Sequence, residues 1–227
     1  SGLIGRYDEP LAKQQIRNGS SLRPPAPYRP SLTRCRPSSF RPAHRQHQQE
    51  NVLARIPMQP DSPADPQLAA MFEEVRARGI EIPNLYRVLG NSPQMLRAWL
   101  DFAWPLRLNA STPRSIRELL ILRGAQVSQT EYEWVHHVPM ALTAGVSQQQ
   151  IDALAEWKTS SLFSDLERAV LRIADEVTAG PAASEEAVQA LKQHFDEAAV
   201  VELVLTASFY VCVSRVLRSM AIELEAH

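Results

Sequence analysis

Arg114-Ser115-Ile116-Arg117-Glu118-Leu119-Leu120-Ile121-Leu122-Arg123, followed by Thr130-Glu131-Tyr132-Glu133-Trp134-Val135-His136-His137, is the part of the chain whose reading decides its fold. The first stretch is helix-patterned and largely apolar, yet carries one acid, Glu118, inside its apolar run. In the second, read as a helix, Glu133 and His137 stand four residues apart and share a face. Nowhere else do carboxylates and imidazoles sit so densely in apolar, helical sequence. Two acids and a base against an apolar wall have the makings of a proton-transfer site.

Working outward, helices account for everything from Asn51 onward. Pro66 to Arg78 is helix-periodic and stops at Gly79, and Pro83 to Leu89 reads as a short helix. Ser92-Pro93 opens a helix carrying Met95, Leu96, Trp99, Leu100, Phe102 and Trp104, which Pro105 should kink or end. Thr112-Pro113 starts the next, to about Gln126, and Thr130 another that ends at Gly145. Ser147-x-x-Gln150 and Ser164-x-x-Glu167 are capping boxes opening two more. Ser184 opens a helix to near His194, and the last runs from Asp196 to about Ala226. No alternating strand pattern appears, so the domain is expected to be all-α.

The net charge of −1 hides an asymmetry. Residues 1–50 hold nine Lys/Arg against three Asp/Glu and seven prolines, about +6, leaving about −7 on the remainder. A mildly acidic folded part argues against nucleic-acid binding. Arg-Pro recurs at Arg23, Arg29, Arg36 and Arg41, and such a segment cannot bury enough apolar surface to offset its ordering entropy. It lacks the amphipathic regularity of a transit peptide. Residues 1–54 are therefore expected to be a disordered extension, or translation upstream of the natural start, and 55–227 the helical domain. The most apolar run, Leu203 to Ser214, is too short to span a bilayer and reads as a core helix, so no membrane partner is expected. Cys35 and Cys212 form no Cys-x-x-Cys and no zinc pattern, which fits a reducing cytoplasm.

Each residue singled out also has a plainer reading. Thr130-x-x-Glu133 is itself a capping box, with the Glu reaching back to the Thr130 N–H. His136 and His137 are adjacent, so they point to different faces and should not both face one pocket squarely. Glu118 is either a surface ion pair with Arg114 or Arg117, or a half-buried acid with a perturbed pKa. Tyr132 and Trp134, with Trp99, Phe102 and Trp104, are either core packing or the walls of a pocket for a flat, unsaturated molecule. A di-iron site needs Glu-x-x-His on two helices, and only Glu133-Trp134-Val135-His136 supplies one, so no metal and no cofactor is expected.

Arg117-Glu118-Leu119-Leu120-Ile121-Leu122, then Glu131 to His137, then Ala141-Leu142-Thr143-Ala144-Gly145-Val146-Ser147 together resemble the carboxymuconolactone decarboxylase family, which also holds the alkyl-hydroperoxidase (AhpD-like) proteins. Glu167 to Leu171 and Phe209 to Leu217, ending Ile222-Glu223-Leu224-Glu225, look similar to its C-terminal half. The resemblance implies an AhpD-like helical bundle assembled as a homo-oligomer, a trimer or hexamer. In the AhpD-like branch the cysteine positions fall on Thr130 and Glu133, the histidine on His137 and the acid on Glu118; without the cysteines, disulfide peroxidase chemistry is not expected. The decarboxylase branch has an acid at Glu133 and keeps the histidine. It implies a cofactor-free carboxy-lyase for a small unsaturated lactone or carboxylic acid of aromatic catabolism. His137 would deliver or shuttle the proton, Glu133 would orient it or relay, and Glu118 would complete the relay; His136, Tyr132 and Trp134 would wall the substrate. A basic residue for the departing carboxylate is expected to be weak or absent, since a tight ion pair stabilises the ground state. A peroxide or redox role without the cysteine pair, or a non-catalytic oligomeric binding protein, are the alternatives.

Overall fold

The structure, a computed structural model, describes residues 54–225. The extension expected over residues 1–53, with Cys35, and the last two residues lie outside them. Among the described residues the order is α1 (Pro66–Arg76), α2 (Asn84–Leu89), α3 (Pro93–Trp104), a π-helical turn (Pro105–Asn109), α4 (Arg114–Ser128), α5 (Glu131–Thr143), α6 (Gln148–Asp152), a 3-10 turn (Leu154–Glu156), α7 (Asp165–Ala179), α8 (Glu185–Lys192) and α9 (Glu197–Met220), with no strand. The domain is all-α.

The centre is α4. Every residue from Ile116 to Leu122 is buried, so this helix has no solvent face and serves as the axle on which α5, α7 and α9 pack. Two apolar clusters result. The larger runs from α1 and α3 through Leu120 and Ile121 to α7, α8 and α9. The smaller gathers Leu119, Leu122, Ala141, Val146, Ile151, Leu154, Trp157, Phe163 and Leu171. Adjacent residues of α4, Leu119 and Leu120, thus feed different clusters, which only a helix packed all round allows.

Ends follow local chemistry. Both expected capping boxes, at Ser147 and Ser164, form. Gly145 takes φ +94, a left-handed conformation that closes the turn after α5. Pro105 ends α3 as expected, and the chain then widens into the π turn. Proline has no N–H to donate to the carbonyl four residues back, so the ladder slips by one residue there. The last helix stops at Met220, where Ala221 turns left-handed, and residues 221–225 fold back as an irregular tail. The expected helix to Ala226 is therefore too long: Ile222 is buried, and a helical continuation could not return it to the core. At 24 residues α9 is also long and apolar enough to cross a bilayer, which the run of a dozen residues had not suggested; in the fold, half of its apolar window is packed inside the domain.

Candidate active site

Glu118, on the axle helix, has no solvent exposure. Its Oε2 lies 2.7 Å from His137 Nδ1, and its Oε1 is 2.5 Å from an Arg114 guanidinium nitrogen. The Arg114 contact is an ion pair lying off the hydrogen-bond direction, since Oε1 has no hydrogen-bond donor. Burial pushes the Glu118 carboxyl up, but the bond to His137 and the charge of Arg114 outweigh it and hold the pKa below the usual range. Glu118 is thus a carboxylate, an acceptor only, so Nδ1 of His137 carries the hydrogen. Burial keeps the imidazole neutral by lowering its pKa, against the pull of Glu118. Nε2, the basic nitrogen, has no protein partner among the described residues.

Glu133 and His137 share a face of α5, yet they do not bond to each other. Glu133 Oε2 instead accepts from the Ser214 hydroxyl on α9. Burial raises its pKa to about 8, opposed only by that one hydrogen bond, so the group is a neutral acid at pH 7. Its Oε1 has no hydrogen-bond partner among the described residues. The orienting partner of His137 is therefore Glu118 and not Glu133. The expected capping box at Thr130 does not form either: Thr130 makes no side-chain cap, and the Glu133 side chain is turned inward onto α9. Behind Ser214 the hydroxyls continue to Ser128, 3.0 Å away, and from there to Thr130 at 3.1 Å.

His136 and His137 line the same cavity of about 280 Å³, contrary to the expectation from their adjacency. The cavity wraps around α5, so that Tyr132, Glu133, His136, His137 and Met140 all reach it. Opposite them stand Phe209, Tyr210 and Val213 of α9, Trp99 and Ala103 of α3, and Ile80 to Tyr86 of α2 and the segment before it. Trp134 does not line it but packs against the smaller cluster on the far side of α5. Phe102 and Trp104 are absent from the wall as well: Phe102 meets the edge of Phe209, and Trp104 lies under the Arg78 guanidinium.

His136 has an acceptor on each ring nitrogen, the Tyr132 carbonyl at 2.8 Å from Nδ1 and Glu225 Oε2 at 2.9 Å from Nε2. Two acceptors require two hydrogens, so this imidazole is held charged, its pKa raised by the hydrogen bond to Glu225 above all. Glu225 also accepts from the Tyr132 hydroxyl at 2.6 Å and the Asn84 N–H at 2.7 Å. These bonds outweigh burial and bring its pKa down to about 2. The C-terminal tail is thereby part of the cavity wall.

Three groups carry no signal in the sequence. Ser214 and Tyr210 belong to an apolar helix with no motif of their own. Tyr210 packs edge-on to His137 with centroids 5.0 Å apart, and burial keeps its phenol protonated. The third is Arg107, delivered into the cavity by the π turn. It is a basic residue of the cavity wall that no sequence motif marks. Among the described residues no group of three or more His, Cys, Asp or Glu is placed to hold a metal ion.

The bundle has the AhpD-like fold, with the Glu118–His137 pair joining α4 and α5. Residues 93–176 match the family model "Carboxymuconolactone decarboxylase family". An uncharacterized Bacillus subtilis protein, YdfG, is 29% identical over 98 residues, 42% of this chain and 67% of that protein. A peroxidase-related AhpD-core protein from Ralstonia eutropha JMP134 superposes with a TM-score of 0.66 at 19% identity, over 76% of this chain and 92% of its own. The debrominase Bmp8 gives 0.63 at 21% identity, over 78% and 95%. At such identities these two structures bear on the fold alone.

Proposed function

We propose that the chain is a cofactor-free enzyme of the carboxymuconolactone decarboxylase type, decarboxylating or moving a proton on a small unsaturated lactone or carboxylic acid. The observation that carries this is the pairing of a neutral acid, Glu133, with a neutral, carboxylate-backed base, His137, on one wall of an apolar cavity. Two titratable groups pushed apart by their surroundings are how one site supplies both an acid and a base near neutral pH. His137 Nε2 takes the proton from the substrate or passes it on, and the imidazolium so formed is stabilised by Glu118. Glu133 delivers a proton from Oε1 to the carbanion or enolate oxygen, and the Tyr210 hydroxyl donates to the developing oxyanion. Loss of CO₂ leaves an electron pair that the extended dienolate holds until Glu133 protonates it. At about 280 Å³ the cavity falls just below the usual range for ligand sites and suits a single small ring.

A homo-oligomer fits the exposed apolar residues Val201 and Leu205 on α9 with Met95 and Phe102 on α3, and light scattering reads it directly. The function itself is tested by CO₂ release and ultraviolet loss on a panel of carboxylated lactones and unsaturated acids, with chelator present. Turnover by the wild type that His137→Ala and Glu133→Gln both abolish is the expected result. Silence across the panel from well-folded protein overturns decarboxylation of those compounds.

A further inference from the structure

Arg107 is the cation of the cavity that has no anion. The other positive group at the wall, His136, is matched by Glu225, and Arg114 behind the wall is matched by Glu118. Glu133 is neutral, and Glu81 stands at the rim, exposed to water. Arg107 has no carboxylate within ion-pair distance among the described residues; its one side-chain hydrogen bond is a long one, 3.4 Å, to the Tyr86 hydroxyl. That phenol accepts from Arg107, so its own hydrogen remains for a second acceptor.

A guanidinium among aromatic and aliphatic walls is costly unless it is paired. A structural arginine would be tied to a carboxylate or to several carbonyls, as Arg168 is to Trp157, Lys158 and Ser160 in this same chain. Arg107 has neither, and its five N–H donors form a planar fork suited to two oxygens of one anionic group. The element that carries it points the same way. The π turn begins at Pro105, and such turns interrupt regular helices most often where a side chain is put to use.

We infer that the cavity is a site for a planar organic monoanion, its single carboxylate gripped by Arg107 with the Tyr86 hydroxyl beside it and its ring lying against the wall that Trp99 and Phe209 form together. One unmatched positive charge calls for one negative charge. A second carboxylate would meet only the carboxyl of Glu133 and cations already engaged, so dianions gain nothing over monoanions. The ligand class refines the substrate of the proposed reaction, but it depends only on binding and holds whatever chemistry follows. It also sets the direction of the molecule: the one carboxylate held on Arg107 is stabilised in the ground state and stays, so of the two proposed reactions such a ligand suits proton transfer, with the reacting carbon facing His137 and Glu133.

The test is equilibrium binding with no turnover needed, followed by calorimetry and by quenching of tryptophan emission, Trp99 being at the wall. Benzoate, benzamide and terephthalate serve as monoanion, neutral isostere and dianion, against wild type, Arg107→Lys and Arg107→Gln. Benzoate is expected to bind the wild type more tightly than benzamide by about ten- to a hundredfold, the worth of charge-assisted hydrogen bonds. Arg107→Gln removes that margin and leaves benzamide unchanged; Arg107→Lys restores part of it as a point charge without the fork. Terephthalate binds no more tightly than benzoate. Equal affinity for benzoate and benzamide, no benzoate binding at millimolar concentration, or an Arg107→Gln protein that is folded by circular dichroism and still prefers benzoate would each overturn the inference. Binding and turnover are read on separate compounds, so turnover of the panel with no preference for benzoate overturns the inference alone, and preference for benzoate without turnover overturns the proposed reaction alone.

Discussion

Glu133→Gln is expected to make the protein more stable, by a margin that grows with pH, while removing the acid of the proposed reaction. The carboxyl is almost fully buried and its pKa is raised from 4.5 to about 8. In the unfolded chain the group ionises near 4.5, while in the folded chain it stays protonated up to about 8. The stability it contributes is therefore whole below pH 4.5 and is lost as pH rises toward 8. Each pH unit in that window costs about 1.4 kcal/mol, so the native state forfeits roughly 1.4 kcal/mol at pH 5.5 and roughly 4 kcal/mol at pH 7.5, as upper limits. Glutamine keeps the shape and the acceptor for Ser214 and is neutral at every pH, so it escapes this loss. In urea the midpoint of Glu133→Gln should exceed that of wild type by roughly 1–2 M at pH 7.5 and by much less at pH 5.5. Both proteins are unfolded at one protein concentration, because any self-association shifts the midpoint by mass action. A variant no more stable than wild type at pH 7.5, or a difference that does not change with pH, would refute the claim that Glu133 is a buried neutral acid. The acid role in catalysis would go with it.

Other outcomes follow from the same contacts. Glu118→Gln removes the carboxylate behind His137 and leaves Arg114 unmatched; it should cost about 1–3 kcal/mol in a urea melt and lower turnover much more than it raises KM. Glu225→Gln should loosen the tail that walls the cavity, seen as faster hydrogen exchange at residues 221–225. In the wild type the His136–Glu225 pair weakens at both extremes. The Glu225 contribution is present above about pH 4.5 and is lost as pH falls toward 2, and that of His136 is lost as pH rises past its raised pKa. Exchange in the tail should therefore be slowest at mildly acidic pH; a flat profile would count against a charged pair. Cys212 is exposed and unpaired among the described residues, so Cys212→Ser should leave any turnover untouched, whereas its loss would bring thiol chemistry back into consideration.

The sequence by itself determined the helices, because periodicity, caps and prolines are local: Ser147, Ser164, Pro105 and Gly145 act within a few residues of themselves. It also pointed to the candidate site on α4 and α5, since Glu118, Glu133 and His137 are conspicuous in apolar surroundings. It could not say which acid serves the histidine. The four-residue spacing favoured Glu133, but side-chain partners are chosen by whatever packs against the face, and α9 brings Ser214 to Glu133 while α4 brings Glu118 to His137. Trp134 was misplaced for a related reason: α5 is packed on two sides, and spacing does not tell which side holds the cavity. Only the tertiary structure revealed Arg107, Tyr210, Ser214 and Glu225, which come from a π turn, an apolar helix and a tail far apart in the chain. Each is unremarkable among its sequence neighbours, and its role arises from what the fold sets beside it: an unmatched charge, a buried hydroxyl or a histidine in need of an acceptor.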